Sequence, residues 1–451
     1  MRQFIVLVLL LIAAPAWAQT IAPAPPAVDV RLYDIVQAAS PERVESDIRT
    51  LAGFGTRSTL SDTVSTTRGI GAARRWIRAE FERISADCGG CLEVFEQRTL
   101  VPAGGRIPTD TWVVNVVAVQ RGTDQPNRYV MMSGDIDSRP SDGSDGETDA
   151  PGANDNASGM AGAIEAARIL TKYRFGKSIV YAGLSGEEQG LYGGQHLAAM
   201  ADSLGWEIEA VLNNDMIGNT CGINGTCNNR SFRIFSEPVD ATSSERAAQM
   251  RRFYGGEVDG PSRQLARYVH DLTTTYTPLM EPKMIYRLDR FGRGGHHRPF
   301  NDAGFPAVRL METNEHYDRQ HQDIRTVAGR FYGDTIDYVD FVYAARMTGI
   351  NALTLAGLAW APDPPSNVKI GGAVAPSTRL TWDASQSTDL AGYWVVWRDT
   401  TSPVWQHRRW VGTATDWTLD NVVIDNYLFG VEAVSTSGAR SVVAYPGGLI
   451  R

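Results

Sequence analysis

The chain has 451 residues, 43% hydrophobic and 21% charged, with a formal net charge of -8. That length suffices for two or three domains, and the composition excludes wholesale disorder. No basic run offers phosphate neutralisation, so the pattern argues against a nucleic-acid partner, and the charge mainly serves solubility.

Residues 1–18 read as a signal peptide. Arg2 supplies the positive start, residues 4–14 the apolar core, and Ala16-Trp17-Ala18 a small-x-small cleavage site before Gln19. The core is too short to span a bilayer comfortably, and no later stretch is long and apolar enough. Because no Cys follows the cleavage site, a lipid anchor is not expected either. The expectation is an exported protein, periplasmic or secreted, with no membrane span. Four cysteines in two close pairs, Cys88 with Cys91 and Cys221 with Cys227, suit that compartment, and each pair could close a small local disulfide.

Beyond a Pro/Ala-rich leader, residues 30–360 alternate strand-like and helix-like patterns. Residues 69–84 carry an amphipathic helix with Ala73, Trp76, Ile77 and Phe81 at helical spacing. Apolar, β-rich runs follow at 112–119 and 129–133. Then come a helix over 159–172, a strand over 178–184, a helix over 192–204, and strands at 210–213 and 306–310. Such a succession predicts an α/β fold, with a mostly parallel sheet flanked by helices. Ligands in such sheets sit beyond the carboxyl ends of the strands, and the acidic clusters fall there. Residues 361–365 read as a linker. From 364 to 451, period-two alternation around Trp382, residues 393–397 and residues 427–434 predicts a C-terminal all-β sandwich. Its Pro-Pro start, Trp382 and Tyr427, without Cys, resemble a fibronectin type III domain.

The chemistry is concentrated in four places. These are Gly134-Asp-Ile-Asp-Ser138, Pro151-Gly-Ala-Asn-Asp-Asn-Ala-Ser-Gly159, Ser185-Gly-Glu-Glu-Gln-Gly190 and Asn213-Asn-Asp-Met216. Acidic groups that converge repel one another unless cations sit between them, so the pattern points to metal. Asp135 and Asp137 are expected to face different ways, one binding metal and the other orienting a neighbour. Asp155 lies in a loop entering a helix, where a carboxylate can be held rigidly and bridge two cations. Of Glu187 and Glu188, one can ligate while the other takes a proton from bound water. No Gly-x-Ser-x-Gly elbow surrounds Ser158 or Ser185, and no phosphate-binding loop with Lys is present.

In this order, and with a late His-rich segment, these motifs closely resemble the two-zinc exopeptidases. That group of clan MH metallopeptidases includes bacterial leucyl aminopeptidases and glutamate carboxypeptidase, with glutaminyl cyclase as a relative. The likeness covers about residues 30–350. It implies a bridging ligand at Asp155, a general base at Glu187, ligands at Glu188 and Asp215, and Asp137 as the carboxylate that orients the first ligand. It also implies a late His ligand, best matched by His321, with His316 as competitor. His297, in the segment 294–300, is expected to hydrogen-bond rather than ligate.

The main departure is Asp135, where the family pattern has His. By the family's wiring one ion would be held by Asp135, Asp155 and Asp215, and the other by Asp155, Glu188 and His321. Zinc is the first expectation for both. The all-oxygen set would suit Mn, Mg or Ca relatively better, which allows an asymmetric pair. The resemblance thus implies an exported metallo-aminopeptidase acting on a peptide substrate. The alternatives are a catalytically silent binding protein on the same fold, or glutaminyl cyclase-type acyl transfer.

Overall fold

The computed structural model describes residues 24–450, so the signal peptide lies outside the described residues. Helices α1 (Arg31–Gln37), α2 (Pro41–Ala52) and α3 (Gly69–Asp87) open the fold. In α3, Ile70, Ala73, Ile77, Phe81 and Ile84 are buried, the three-and-four spacing that puts one helical face in the core. Both cysteine pairs are disulfide-bonded.

One eight-stranded sheet carries the larger unit. In chain order its strands are β1 (Leu92–Val101), β2 (Thr111–Gln120), β3 (Gln125–Asp135), β4 (Lys177–Leu184), β5 (Glu207–Asn214), β6 (Ser231–Ser236), β7 (Glu281–Ile285) and β8 (Ala307–Glu312). In space they run β1-β2-β4-β3-β5-β8-β6-β7. The centre, β4-β3-β5-β8, is parallel, and every residue of β4 is buried, as both-face coverage requires. The edges depart from the mostly parallel expectation. β1-β2, β2-β4 and β8-β6 are antiparallel. The link 102–110 between β1 and β2 is too short for a helical crossover, so those strands can only run in opposite directions.

Helices cover both faces. α4 (Ala157–Leu170) and α10 (Phe341–Trp360) share the main core with α1–α3 and α8 (Pro261–Tyr276). α6 (Tyr192–Ser203) and α9 (His297–Asp302) pack on the other face. The one-turn α5 (Glu187–Gly190) and α7 (Glu245–Tyr254) complete the helices of this unit, and a small hairpin pairs β9 (Arg325–Val327) with β10 (Arg330–Tyr332).

After α10 the chain is all strand apart from one short turn of helix. β11 (Ser366–Gly371), β12 (Thr378–Asp383), β15 (Asp416–Leu419) and β17 (Gly448–Leu449) form one sheet. β13 (Leu390–Asp399), β14 (His407–Gly412) and β16 (Tyr427–Ser435) form another. They share a core of Val368, Leu380, Trp382, Tyr393, Val395, Phe429 and Val431. Trp397 packs at the edge of that core, whereas Trp394 instead meets Trp410, ring centroids 5.3 Å apart. Strand alternation explains this, since Tyr393 and Val395 take the inward positions on either side of Trp394.

Candidate metal centre

The site forms where the parallel strands end. β3 stops at Asp135, and α4 begins over it because two glycines allow close approach. A Cβ at Gly134 would lie 2.5 Å from the Gly159 backbone, and one at Gly159 only 2.2 Å from the Asn214 carbonyl oxygen. Asn156 caps α4 through Gly159 N–H at 3.0 Å. Its amide also donates to Asp135 Oδ2 and to the Asn214 carbonyl, each at 2.7 Å. One side chain therefore ties the ends of β3 and β5 to the start of α4.

The loop holding Asp155 is fixed from behind by two carboxylates that the sequence reading did not single out. Asp334 accepts from Asn154 N–H at 3.0 Å and Asp155 N–H at 2.6 Å. Glu312, at the end of β8, accepts from the Asn154 amide at 3.0 Å and Asn219 N–H at 2.8 Å. Glu312 could have been found as one more strand-end acid, whereas Asp334 has no local signal. Arg57, fully buried, adds a clamp by donating to the carbonyls of Ile136 and Gly152, each at 2.9 Å.

Gly186, at φ +74°, turns the chain out of β4 into α5, a conformation a side chain would strain. Asp137 accepts from Glu187 N–H at 3.3 Å and Glu188 N–H at 3.1 Å. Its carboxylate thus positions the Glu187-Glu188 pair, whereas the resemblance assigned it to orienting residue 135. Asp135 and Asp137 do face different partners, although residues two apart on a regular strand share a face. The strand ends at Asp135, and Asp137 belongs to the loop that follows.

His321 Nε2 lies 3.1 Å from Asp155 Oδ2 and 3.0 Å from Glu188 Oε1. One ligand atom from each of these three residues falls within 4.8 Å of the others. Burial works against a charged imidazole here, but the carboxylates of Glu188 and Asp155 outweigh it and raise His321 to about 10. The same contact holds Asp155 below the usual carboxylate range despite its burial. A nitrogen and two carboxylate oxygens converging in this way fit a zinc ion, which would take the place of the proton shared among them. His321 also sits at φ +54°, a conformation uncommon for a side-chain-bearing residue and one that surrounding structure must impose. Glu187 is pushed well up, by burial and then by the nearby charges of Glu188, Asp215, Asp135 and Asp155.

Asp135 and Asp215 do not join a second cluster of this kind among the described residues. Asp135 Oδ1 lies 2.6 Å from Nδ1 of His296, a buried residue the sequence reading passed over. Asp215 Oδ2 lies 2.8 Å from Arg309 Nη2. A buried carboxylate without an ion needs donors, and these residues supply them. His297 hydrogen-bonds the Leu288 carbonyl at 2.8 Å, while His316 takes no part in the cluster around Asp155. A cavity of 1450 Å³ lies elsewhere, between α7 and the C-terminal strands, and none of the cluster residues lines it.

Carboxylates and an imidazole gathered at the carboxyl ends of a helix-flanked sheet define a metal-dependent hydrolase. Residues 115–339 match Peptidase family M28. A "probable zinc metalloprotease" of Leptosphaeria maculans is 43% identical over 93% of this chain and 98% of its own length. Another of the same description, from Pyrenophora teres f. teres, is 42% identical over 94% of this chain and 88% of its own. The chain belongs to peptidase family M28 and is a metal-dependent peptidase of the zinc metalloprotease type. Its fold is similar to that of the LapA aminopeptidase of Legionella pneumophila, with a TM-score of 0.51, 18% identity, and coverage of 72% of this chain and 73% of that one. It is also similar to the fold of Macrostomum lignano glutaminyl cyclase, with a TM-score of 0.51, 15% identity, and coverage of 74% and 94%. No helix among the described residues is long and apolar enough to cross a membrane.

Proposed function

We propose that this chain is an exported metallo-exopeptidase that removes amino-terminal residues from peptides. The observation that carries the reading is Glu187 standing beside the convergent Asp155, Glu188 and His321. Those three residues would hold a zinc ion, whose chemistry is to activate a water and polarise the scissile carbonyl. The Glu187 carboxylate then accepts the proton of the attacking water and returns it to the leaving amine. Asp137 keeps that carboxylate in place through the backbone of α5. The leader at residues 1–18 and the two disulfides support export to an oxidising compartment. We read the C-terminal unit as a fibronectin type III-like β-sandwich, on the strength of its two sheets and shared aromatic core.

The test is a panel of aminoacyl and dipeptide substrates with free or acetylated amino ends. Hydrolysis should require the free amino end, vanish on chelation and return with zinc. Cleavage of acetylated substrates at equal rates would reject the aminopeptidase assignment. The single three-ligand cluster also favours a second reading, one-metal acyl transfer of the glutaminyl cyclase kind. Ammonia and pyroglutamyl peptide formed from an amino-terminal Gln peptide, without hydrolysis of other substrates, would select it.

A further inference from the structure

Carried onto this chain, the two-metal wiring asks Asp135, Asp155 and Asp215 to grip a common ion. Ligand atoms bonded to zinc at 2.0–2.2 Å stand within about 4.4 Å of one another. Among the described residues the one group of three whose ligand atoms all lie within 4.8 Å of one another is Asp155, Glu188 and His321. What surrounds the other two carboxylates is built rather than incidental.

Arg309 rises from β8 and is fully buried. Its Nη2 meets Asp215 Oδ2 at 2.8 Å and its Nη1 meets Asp289 Oδ2 at 3.0 Å. Nη1 also donates to the Gly294 carbonyl at 2.9 Å. Asp289 in turn is paired with Arg290 at 3.4 Å and lies 3.5 Å from His297 Nε2. The guanidinium is therefore locked from several sides and cannot swing away without leaving Asp289 buried and short of charge. A divalent ion on Asp215 would have to sit against this fixed positive charge. At Asp135 each oxygen already meets a protein side chain, Oδ1 His296 at 2.6 Å and Oδ2 Asn156 at 2.7 Å. All three of these residues are buried, so water cannot take over the role of any of them.

We propose that this protein works with one metal ion, and that the place of a second is taken by its own side chains: Arg309 on Asp215, and His296 with Asn156 on Asp135. The proposal rests on the reading of Asp155, Glu188 and His321 as a metal site, and it replaces the asymmetric two-ion pair expected from the sequence. Asp215 becomes a buried anion that anchors Arg309 beside Glu187, in place of a ligand.

Metal content of the purified full-length protein decides the matter, measured by elemental analysis as isolated and after dialysis against excess zinc, manganese or calcium. The expected result is one tightly held ion per chain under every condition. His321→Ala should weaken retention at least about 10-fold, whereas Asp215→Asn, which keeps the shape and removes the charge, should leave one ion bound. Two ions held per chain in the wild-type protein would overturn the proposal, and so would loss of the ion from a folded Asp215→Asn variant. Should that variant fail to fold, the wild-type stoichiometry still decides. Failure of the peptidase reading would look different: one ion bound, but no hydrolysis.

Discussion

Glu187 and Glu188 are neighbours in sequence with opposite assignments, and the difference comes from direction alone. Glu188 reaches His321 at 3.0 Å, while Glu187 is half-buried and lies under the influence of the Asp215, Asp135 and Asp155 charges. A carboxylate that holds the ion must be missed in metal analysis when removed, whereas one that moves a proton must be missed only in turnover. Glu187→Gln should therefore keep the metal content and the melting temperature of the wild type. Its kcat should fall by about 10²–10⁴-fold, the usual share of general-base catalysis. A variant that retains wild-type kcat would remove Glu187 from the mechanism.

At the scale of elements, the site depends on how closely helix α4 approaches the strand ends. Gly159 sits where any side chain would meet the Asn214 carbonyl oxygen at 2.2 Å, and Asn214 precedes Asp215 directly. Gly159→Ala should force α4 and β5 apart, costing about 1–3 kcal/mol as overpacking does. It should also lower the melting temperature and loosen the metal, because Asn156 and Asp155 move with the start of α4. An unchanged thermal transition would show that the approach has slack. Most of this arrangement was legible beforehand. The acidic clusters announce themselves because each closes an apolar run, and the strands and helices between them have the right periods. What was not legible is what each carboxylate touches. Asp137 reads as a partner of residue 135 by motif, yet the end of β3 turns it toward α5. Asp334 and Arg309 lie far along the chain from the motifs they support, with nothing in their local sequence to signal that they return, whereas His296 sits in the His-rich segment 294–300, where only its neighbour His297 was given a role.

Across the whole molecule, the C-terminal sheets are fastened to the larger unit by buried charge. Arg398 of β13 donates to both oxygens of Asp259, at 2.8 and 2.9 Å, and Arg267 of α8 meets the same carboxylate at 2.8 Å. A second tie joins Arg440 to Asp271 at 2.6 Å, and Asp363 in the linker accepts from Gln125 at 2.9 Å. The side chains of Asp259, Arg267 and Arg398 are at most 1% exposed, so removing one leaves charge stranded without water. Arg398→Met should cost about 3 kcal/mol, the low end for breaking a buried pair because Arg267 remains. Denaturant unfolding should report that loss while kcat at the distant metal cluster stays unchanged. Equal stability would mean that the two units are held together by their apolar contacts alone.

From the amino-acid order alone came the α/β class, the strand-end position of the chemistry, the candidate residues Asp155, Glu187 and Glu188, and the all-β tail, while His321 came through the resemblance to the two-zinc exopeptidases. Periodicity and clustered acids are local properties, and local properties survive in a one-dimensional string. The antiparallel sheet edges, the true partner of Asp137, and the Arg309 and His296 contacts that occupy Asp215 and Asp135 were settled only in three dimensions. Those depend on which distant side chains meet once the core closes, because a buried carboxylate takes its character from neighbours that the order of residues does not name.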